Sequence, residues 1–239
     1  MSGDGPPAWS VGIVIPARNE ADRIELGLQS VLAAAAAVPV VEVRVVVVAD
    51  RCDDDTGARA RACLGNRGSV ITSHHGNVGA ARRDGAARVL ELFTGRRLDR
   101  TWLSTTDADT SVAPCWLQSQ LARADEGWTA VAGIVRVDHF TEHGHEVERR
   151  WRSRYVHNDD GTHPHVHGAN LGVRADAYLD VGGWPPLATA EDHELWRRLR
   201  AARWPTVATI ETWVTTSGRR TGRAPEGFAG ALRSLEAVP

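Results

Sequence analysis

The chain has 239 residues, 42% hydrophobic and 24% charged, enough for one globular domain with a substantial buried core. A formal net charge of -2 excludes the electrostatic footprint of a nucleic-acid-binding or anionic-membrane-binding protein. Every fixed cation is arginine, with no lysine anywhere, which excludes Lys Schiff-base and Walker-type chemistry and leaves planar guanidinium forks for any phosphate ligand.

In chain order, residues 10–15 (Ser-Val-Gly-Ile-Val-Ile) read as a buried strand stopped by Pro16. Apolar residues at helical spacing (Ile24, Leu28, Val31, Leu32) predict a helix over 19–37, with Asn19 as its N-cap. The β-branched run 40–49 predicts a strand ending at Asp50. A helix over 53–64, a strand over 69–72, a helix over 77–93 and a strand over 101–106 follow. This alternation predicts right-handed βαβ crossovers and a parallel sheet. Ligands collect at the carboxyl ends of such strands, where Pro16, Asp50, His74 and Asp107 fall.

The second half breaks the rhythm. Residues 128–140 read as a long strand, 147–156 as an amphipathic piece, and 168–173 as a short apolar segment. A helix over 190–202 and a strand over 206–215 come next. No repeat or linker divides the chain, so a single domain is expected over 1–239, with residues 1–9 flexible and a mobile Arg/Gly-rich loop and tail over 217–239. Three cysteines (Cys52, Cys63, Cys115) without a Cys-x-x-Cys pair argue against a disulfide framework or zinc ribbon, and fit a cytoplasmic setting. The N-terminus lacks the basic and apolar regions of a signal peptide, and the apolar stretch 31–41 is shorter than the about 20 residues a membrane span needs.

Asp107-Ala108-Asp109 places two carboxylates two positions apart at a strand end. In an extended segment both point to one side, where they can serve one hard cation or one ligand. An Asp-rich turn capping the next helix is the plainer alternative. Asp50 and Asp53 to Asp55 have the same two readings, ligand contact or helix capping.

Taken in order, Ile15-Pro16-Ala17-Arg18-Asn19-Glu20, Ala49-Asp50 with Asp53-Asp54-Asp55-Thr56, Asn77-Val78-Gly79-Ala80-Ala81-Arg82, and Thr106-Asp107-Ala108-Asp109 resemble the family 2 glycosyltransferases. Gly168-Ala169-Asn170, Gly182-Gly183-Trp184 and Glu191-Asp192 complete the set, so the resemblance covers roughly residues 10–215. It implies an α/β GT-A (Rossmann-like) fold: a mostly parallel central sheet with helices on both faces. Three positions depart from the pattern. Ala49 precedes a single acidic Asp50, Arg83 replaces an Asn after Arg82, and no His follows His193.

The resemblance implies a metal-dependent, inverting transfer of a sugar from a nucleoside-diphosphate sugar, UDP by default, to an unknown acceptor hydroxyl. Asp109 is the implied main ligand of a Mn²⁺ or Mg²⁺ ion, with Asp107 sharing it and facing the ribose. Pro16, Ala17, Arg18, Glu20, Asp50 and Arg82 would hold the donor, and Asp192 would be the catalytic base. The Arg219, Arg220 and Arg223 cluster, interleaved with Gly218 and Gly222, would close on the diphosphate.

His165, His167, Gly168, Asn170, Trp184 and Glu191 are the expected acceptor-side residues. His163, His165 and His167 alternate, a spacing that suits a polar cleft lining and could also bind zinc with a distant ligand. His139, His143 and His145 are expected on a solvated connection. Trp151, Trp184 and Trp213 are candidates to stack on a sugar. The chain is compatible with a homodimer. Other readings are a retaining GT-A enzyme acting on a small cytoplasmic acceptor, a sugar-nucleotide pyrophosphorylase, and a non-catalytic nucleotide-sugar binding module. A pyrophosphorylase would want an early Gly-rich phosphate loop and usually a lysine, and this chain has neither.

Overall fold

The computed structural model describes residues 8–39, 41–223 and 227–236. The expectations for 1–7, for Val40 at the start of the second strand, and for 224–226 and 237–239 in the tail lie outside the described residues. The elements run β1 (Ser10–Ala17), α1 (Ile24–Ala36), β2 (Glu42–Asp50), α2 (Thr56–Leu64), β3 (Gly68–Ser73), α3 (Val78–Leu92) and β4 (Thr101–Thr105). Then come β5 (Thr110–Val112), α4 (Trp116–Asp125), β6 (Ala130–Val137), α5 (His145–Arg154), β7 (Leu171–Arg174) and α6 (Ala175–Asp180). The chain closes with α7 (Glu191–Ala201), β8 (Thr206–Thr216) and α8 (Phe228–Ser234).

All eight strands form one sheet in the order β3-β2-β1-β4-β7-β6-β8-β5. The β3-β2-β1-β4 half is parallel, as the alternation predicts. β7 is antiparallel to both β4 and β6, β6 is parallel to β8, and β5 is antiparallel to β8. Period-two alternation builds the two layers. Val11, Ile13 and Ile15 of β1, with Val45 and Val47 of β2, face α1, α2 and α4 through Leu28, Leu64 and Trp116. Val14, Val46 and Val48 face the other way, onto α3, α6 and α7 through Val89, Tyr178 and Leu195.

Several local expectations are corrected. Pro16 does not stop β1, because it still pairs with Val48. Val14 turns its carbonyl toward the β4 side, where Thr106 N–H donates to it, so Pro16 two residues on also faces that side. The β4 register has ended by then, at Val14–Thr105, and the missing N–H forfeits no ladder bond. Asn19 is not an N-cap. It sits at φ 52° ahead of a helix that begins only at Ile24, and its Oδ1 accepts a hydrogen bond from Asp53 N–H at 2.8 Å, tying the β1 loop to the β2 loop.

β5, α4 and α6 are not among the elements the sequence predicts. Part of the segment expected to be mobile forms α8, whose Leu232 packs with Leu235, Val147 of α5, Phe140 and Trp151. Asp107 and Asp109 lie in a turn, where Thr110 N–H donates to the Asp107 carbonyl, and not in an extended segment.

Candidate functional site

The carboxyl ends of β1, β2 and β4 form the floor of a cavity of about 550 Å³, within the usual range for small-molecule sites. Pro16, Ala17, Arg18 and Glu20 follow β1, Asp50 ends β2, and Asp107 and Asp109 follow β4. Arg82 enters from α3. The second half of the chain contributes His167, Gly168, Glu191, Asp192, Arg219 and Arg223.

Two arginines organise the charge. Arg82, with a side chain only 3% exposed, donates from Nε to Thr105 Oγ1 at 3.2 Å and from Nη2 to Asp107 Oδ1 at 2.6 Å, while Nη1 pairs with Glu191. Trp184 lies over its guanidinium at 5.2 Å. Gly168 permits this crowding, since a Cβ there would stand 2.5 Å from the Arg82 guanidinium carbon. Burial pushes the Glu191 carboxyl above its usual range, with Arg82 opposing. Arg82 thus reaches the cavity with its charge already divided between two carboxylates.

Arg219 makes the second knot. Its two terminal nitrogens donate to Glu20 at 2.8 and 2.5 Å, and Nη2 also stands 3.0 Å from Asp109 Oδ2. Burial pushes the Asp109 carboxyl up to about 6; Arg219 opposes this, and Asp107 and Glu20 add to it. A buried carboxyl beside two other acids favours a cation. Two carboxylate ligands, with phosphate oxygens of a ligand completing the shell, is a usual way of holding Mg²⁺. The Asp107/Asp109 pair fits that donor set, although among the described residues no group of three or more His, Cys, Asp or Glu is arranged to hold a metal ion.

The remaining carboxylates are held by backbone. Asp50 accepts from Gly76 N–H and Asn77 N–H, both at 3.0 Å, so it fixes the loop ahead of α3 and does not cap α2. Asp54, just ahead of the N-cap Asp55, accepts from Thr56 N–H at 3.0 Å, and Asp55 itself makes no side-chain capping bond. Asp192 accepts from Gly168 N–H and from His193 N–H, each at 2.7 Å. Those bonds orient its carboxylate at the cavity wall.

Four expected residues do not line the cavity. Asn170 is fully buried: it accepts from Trp116 Nε1–H at 2.8 Å and donates to the Ile134 and Thr212 carbonyls, so its polar atoms stitch the sheet together. Trp184 is 3% exposed and occupied by Arg82. Arg220 points to Glu236 at 2.8 Å, and its backbone N–H donates to Glu142. His165 stacks on Tyr155, with centroids 4.2 Å apart.

The histidine run is therefore an aromatic stack. His163 accepts at Nδ1 from His165 N–H and bonds the Thr209 carbonyl through Nε2, which fixes its tautomer. Burial pushes His167 down to about 4, and its Nε2 is buried without a hydrogen-bond partner. Nor is His143 on a solvated connection: its side chain is buried against the end of α8, with Nδ1 3.1 Å from Glu236. Of the candidate tryptophans, Trp151 lines the cavity and Trp213 packs under Arg136 instead. Sequence reading missed Val135, Val166, Phe228 and Ala229 as lining residues. Their apolar side chains carry no local signal that separates a cavity wall from a core.

Residues 6–233 match the family described as glycosyltransferase like family 2. No curated protein sequence matches the chain. Among solved structures, the fold is similar to the mannosyltransferase PcManGT from Pyrobaculum calidifontis in complex with GDP-Man and Mn²⁺, with TM-score 0.67 and 17% identity over 97% of this chain and 62% of that one. It is also similar to S. aureus TarS 1–349 in complex with UDP-GlcNAc, with TM-score 0.64 and 15% identity over 95% of this chain and 65% of that one. The chain thus spans less than two thirds of either structure. At such identity the likeness speaks for the GT-A fold. Among the described residues, no helix is long and apolar enough to cross a membrane.

Proposed function

Since the chain belongs to the family 2-like glycosyltransferases, we propose that it transfers a sugar from a nucleoside-diphosphate sugar to an acceptor hydroxyl with inversion at the anomeric carbon. One observation carries the reading. The Asp107/Asp109 pair, Asp50 and Asp192 come from distant parts of the chain and line one cavity. UDP is the default nucleotide, and GDP fits the same residues. One similar structure holds UDP-GlcNAc and another GDP-Man. Free Cys52, Cys63 and Cys115 suit work in the cytoplasm.

In this mechanism Asp50 and the 16–20 loop bind the nucleoside, with Asp50 held in place by Gly76 and Asn77. Asp109 and Asp107 would hold Mn²⁺ or Mg²⁺, which when bound neutralises charge on the departing diphosphate. Arg219 moves from Asp109 to the diphosphate oxygens, a better match for its fork. Asp192, oriented by Gly168 N–H, takes the acceptor proton as the hydroxyl oxygen bonds to the anomeric carbon. The bond from that carbon to the diphosphate oxygen breaks, and the electron pair leaves with the diphosphate.

Calorimetry with UDP and GDP, with and without Mn²⁺, tests the reading. Binding should require the metal and disappear in Asp109→Asn. Equal affinity in both proteins, or none for either nucleotide in the unaltered protein, would overturn it.

A further inference from the structure

The cavity is divided by polarity. Arg18, Arg219 and Arg223 lie with the β1 loop at the donor end, while Arg82 packs between Asp107 and Glu191, and Arg82 and Arg219 are each already shared between two carboxylates. Beyond Asp192 the wall is Val135, Trp151, Val166, His167, Phe228 and Ala229.

That wall is rigid. Trp151 lies 5.0 Å from Tyr155 and meets Phe228 edge-on at 5.1 Å, and His167 lies parallel to Tyr155 at 5.9 Å. The Tyr155 hydroxyl accepts from Val135 N–H at 2.6 Å, which locks the stack to β6. Flat apolar faces are thus held in place before any ligand arrives.

Resting on the glycosyl-transfer reading, we propose that this end takes a neutral acceptor with an aromatic or apolar face beside its nucleophilic hydroxyl, and rejects a phosphorylated or carboxylated one. His167 lines the same wall as Asp192, its ring lying parallel to Tyr155 and its Nε2 buried without a partner. An anionic acceptor would lose its hydration next to the Asp192 carboxylate, and among the described residues no arginine lines that wall to pair with it. Burial keeps the His167 imidazole neutral at physiological pH, so it offers no countercharge.

Saturation-transfer NMR on the full chain tests this, with phenyl β-D-glucopyranoside, D-glucose and glucose 6-phosphate as probes, each measured with and without UDP or GDP and Mn²⁺. Phenyl glucoside should bind at least ten-fold more tightly than glucose, and glucose 6-phosphate no better than glucose. The phenyl preference should collapse in Trp151→Ala. Because Trp151 also packs against α8, His167→Asn is the second variant, and it should weaken phenyl glucoside at least five-fold. Equal binding of phenyl glucoside and glucose, strongest binding of glucose 6-phosphate, or a preference that survives both variants would overturn the proposal. Failure of the nucleotides to bind would instead remove the glycosyl-transfer reading, and the probe ranking on nucleotide-free protein would still report the chemistry of the wall.

Discussion

Arg82 and Glu191 form an ion pair beneath the cavity with side chains 3% and 6% exposed, joining α3 to the first turn of α7. The pair links the parallel half of the chain to its second half, and Asp107 shares the same guanidinium. Breaking a buried pair leaves an uncompensated charge, which costs about 3 kcal/mol or more. Glu191→Ala should lose about that much stability in urea denaturation. Glu191→Gln, which still accepts a hydrogen bond from Arg82, should lose less. A loss under about 1 kcal/mol for the alanine variant would mean that Asp107 alone satisfies Arg82.

Arg219 and Asp109 make an opposite prediction for two ligands. Arg219 occupies Asp109 at 3.0 Å in this structure, so it competes with a cation for that carboxylate. Arg219→Ala should bind Mn²⁺ alone more tightly than the unaltered protein. It should bind UDP in the presence of Mn²⁺ roughly ten-fold more weakly, the worth of one charge-assisted hydrogen bond. Paired titrations by calorimetry check both signs; weaker binding of both ligands would mean that Arg219 only supports the loop.

His167 gives the fold a pH dependence. Its folded value of about 4 lies below the ordinary 6.5, first through burial; Asp192 opposes the shift, and His165, His193 and His163 add to it. A depressed value means that the unfolded chain takes up a proton that the folded chain refuses. The stability is present above pH 6.5 and is lost as pH falls toward 4, on the order of 3 kcal/mol in all. His167→Asn should flatten this part of the profile, so thermal midpoints of the two proteins measured from pH 7.5 to 4.5 should converge on acidification. Parallel curves would show that His167 does not carry the dependence.

The parallel half of the fold was legible because β-branched runs and helical spacing alternate there without interruption, and strand ends in such a sheet face ligands. Motif order points Asp50, Asp107 and Asp192 to neighbouring strand and helix ends, and the fold brings them into one cavity. Asn170 and Trp184 misled for a physical reason: a motif fixes a neighbourhood, while burial decides which way a side chain turns. Asn170 turned inward to satisfy Trp116 and two carbonyls. The partners of Arg82 and Arg219 were not legible either, since Glu191 and Glu20 reach them only through tertiary packing. β5 has three residues, too few to show a period.

Asp192 is the residue whose removal should separate binding from chemistry. Its carboxylate is oriented by Gly168 N–H and His193 N–H and touches neither arginine knot directly. Asp192→Asn keeps one oxygen for the Gly168 bond and removes the capacity to accept a proton. Donor affinity, read by calorimetry with UDP and Mn²⁺, should stay within about two-fold. The rate of sugar-nucleotide hydrolysis to UDP, with water standing in for the acceptor, should fall about 10²-fold or more, the usual worth of a general base. A variant that also loses nucleotide binding would place Asp192 in the scaffold of the donor site. A variant that still turns over would put the base on another side chain of this wall.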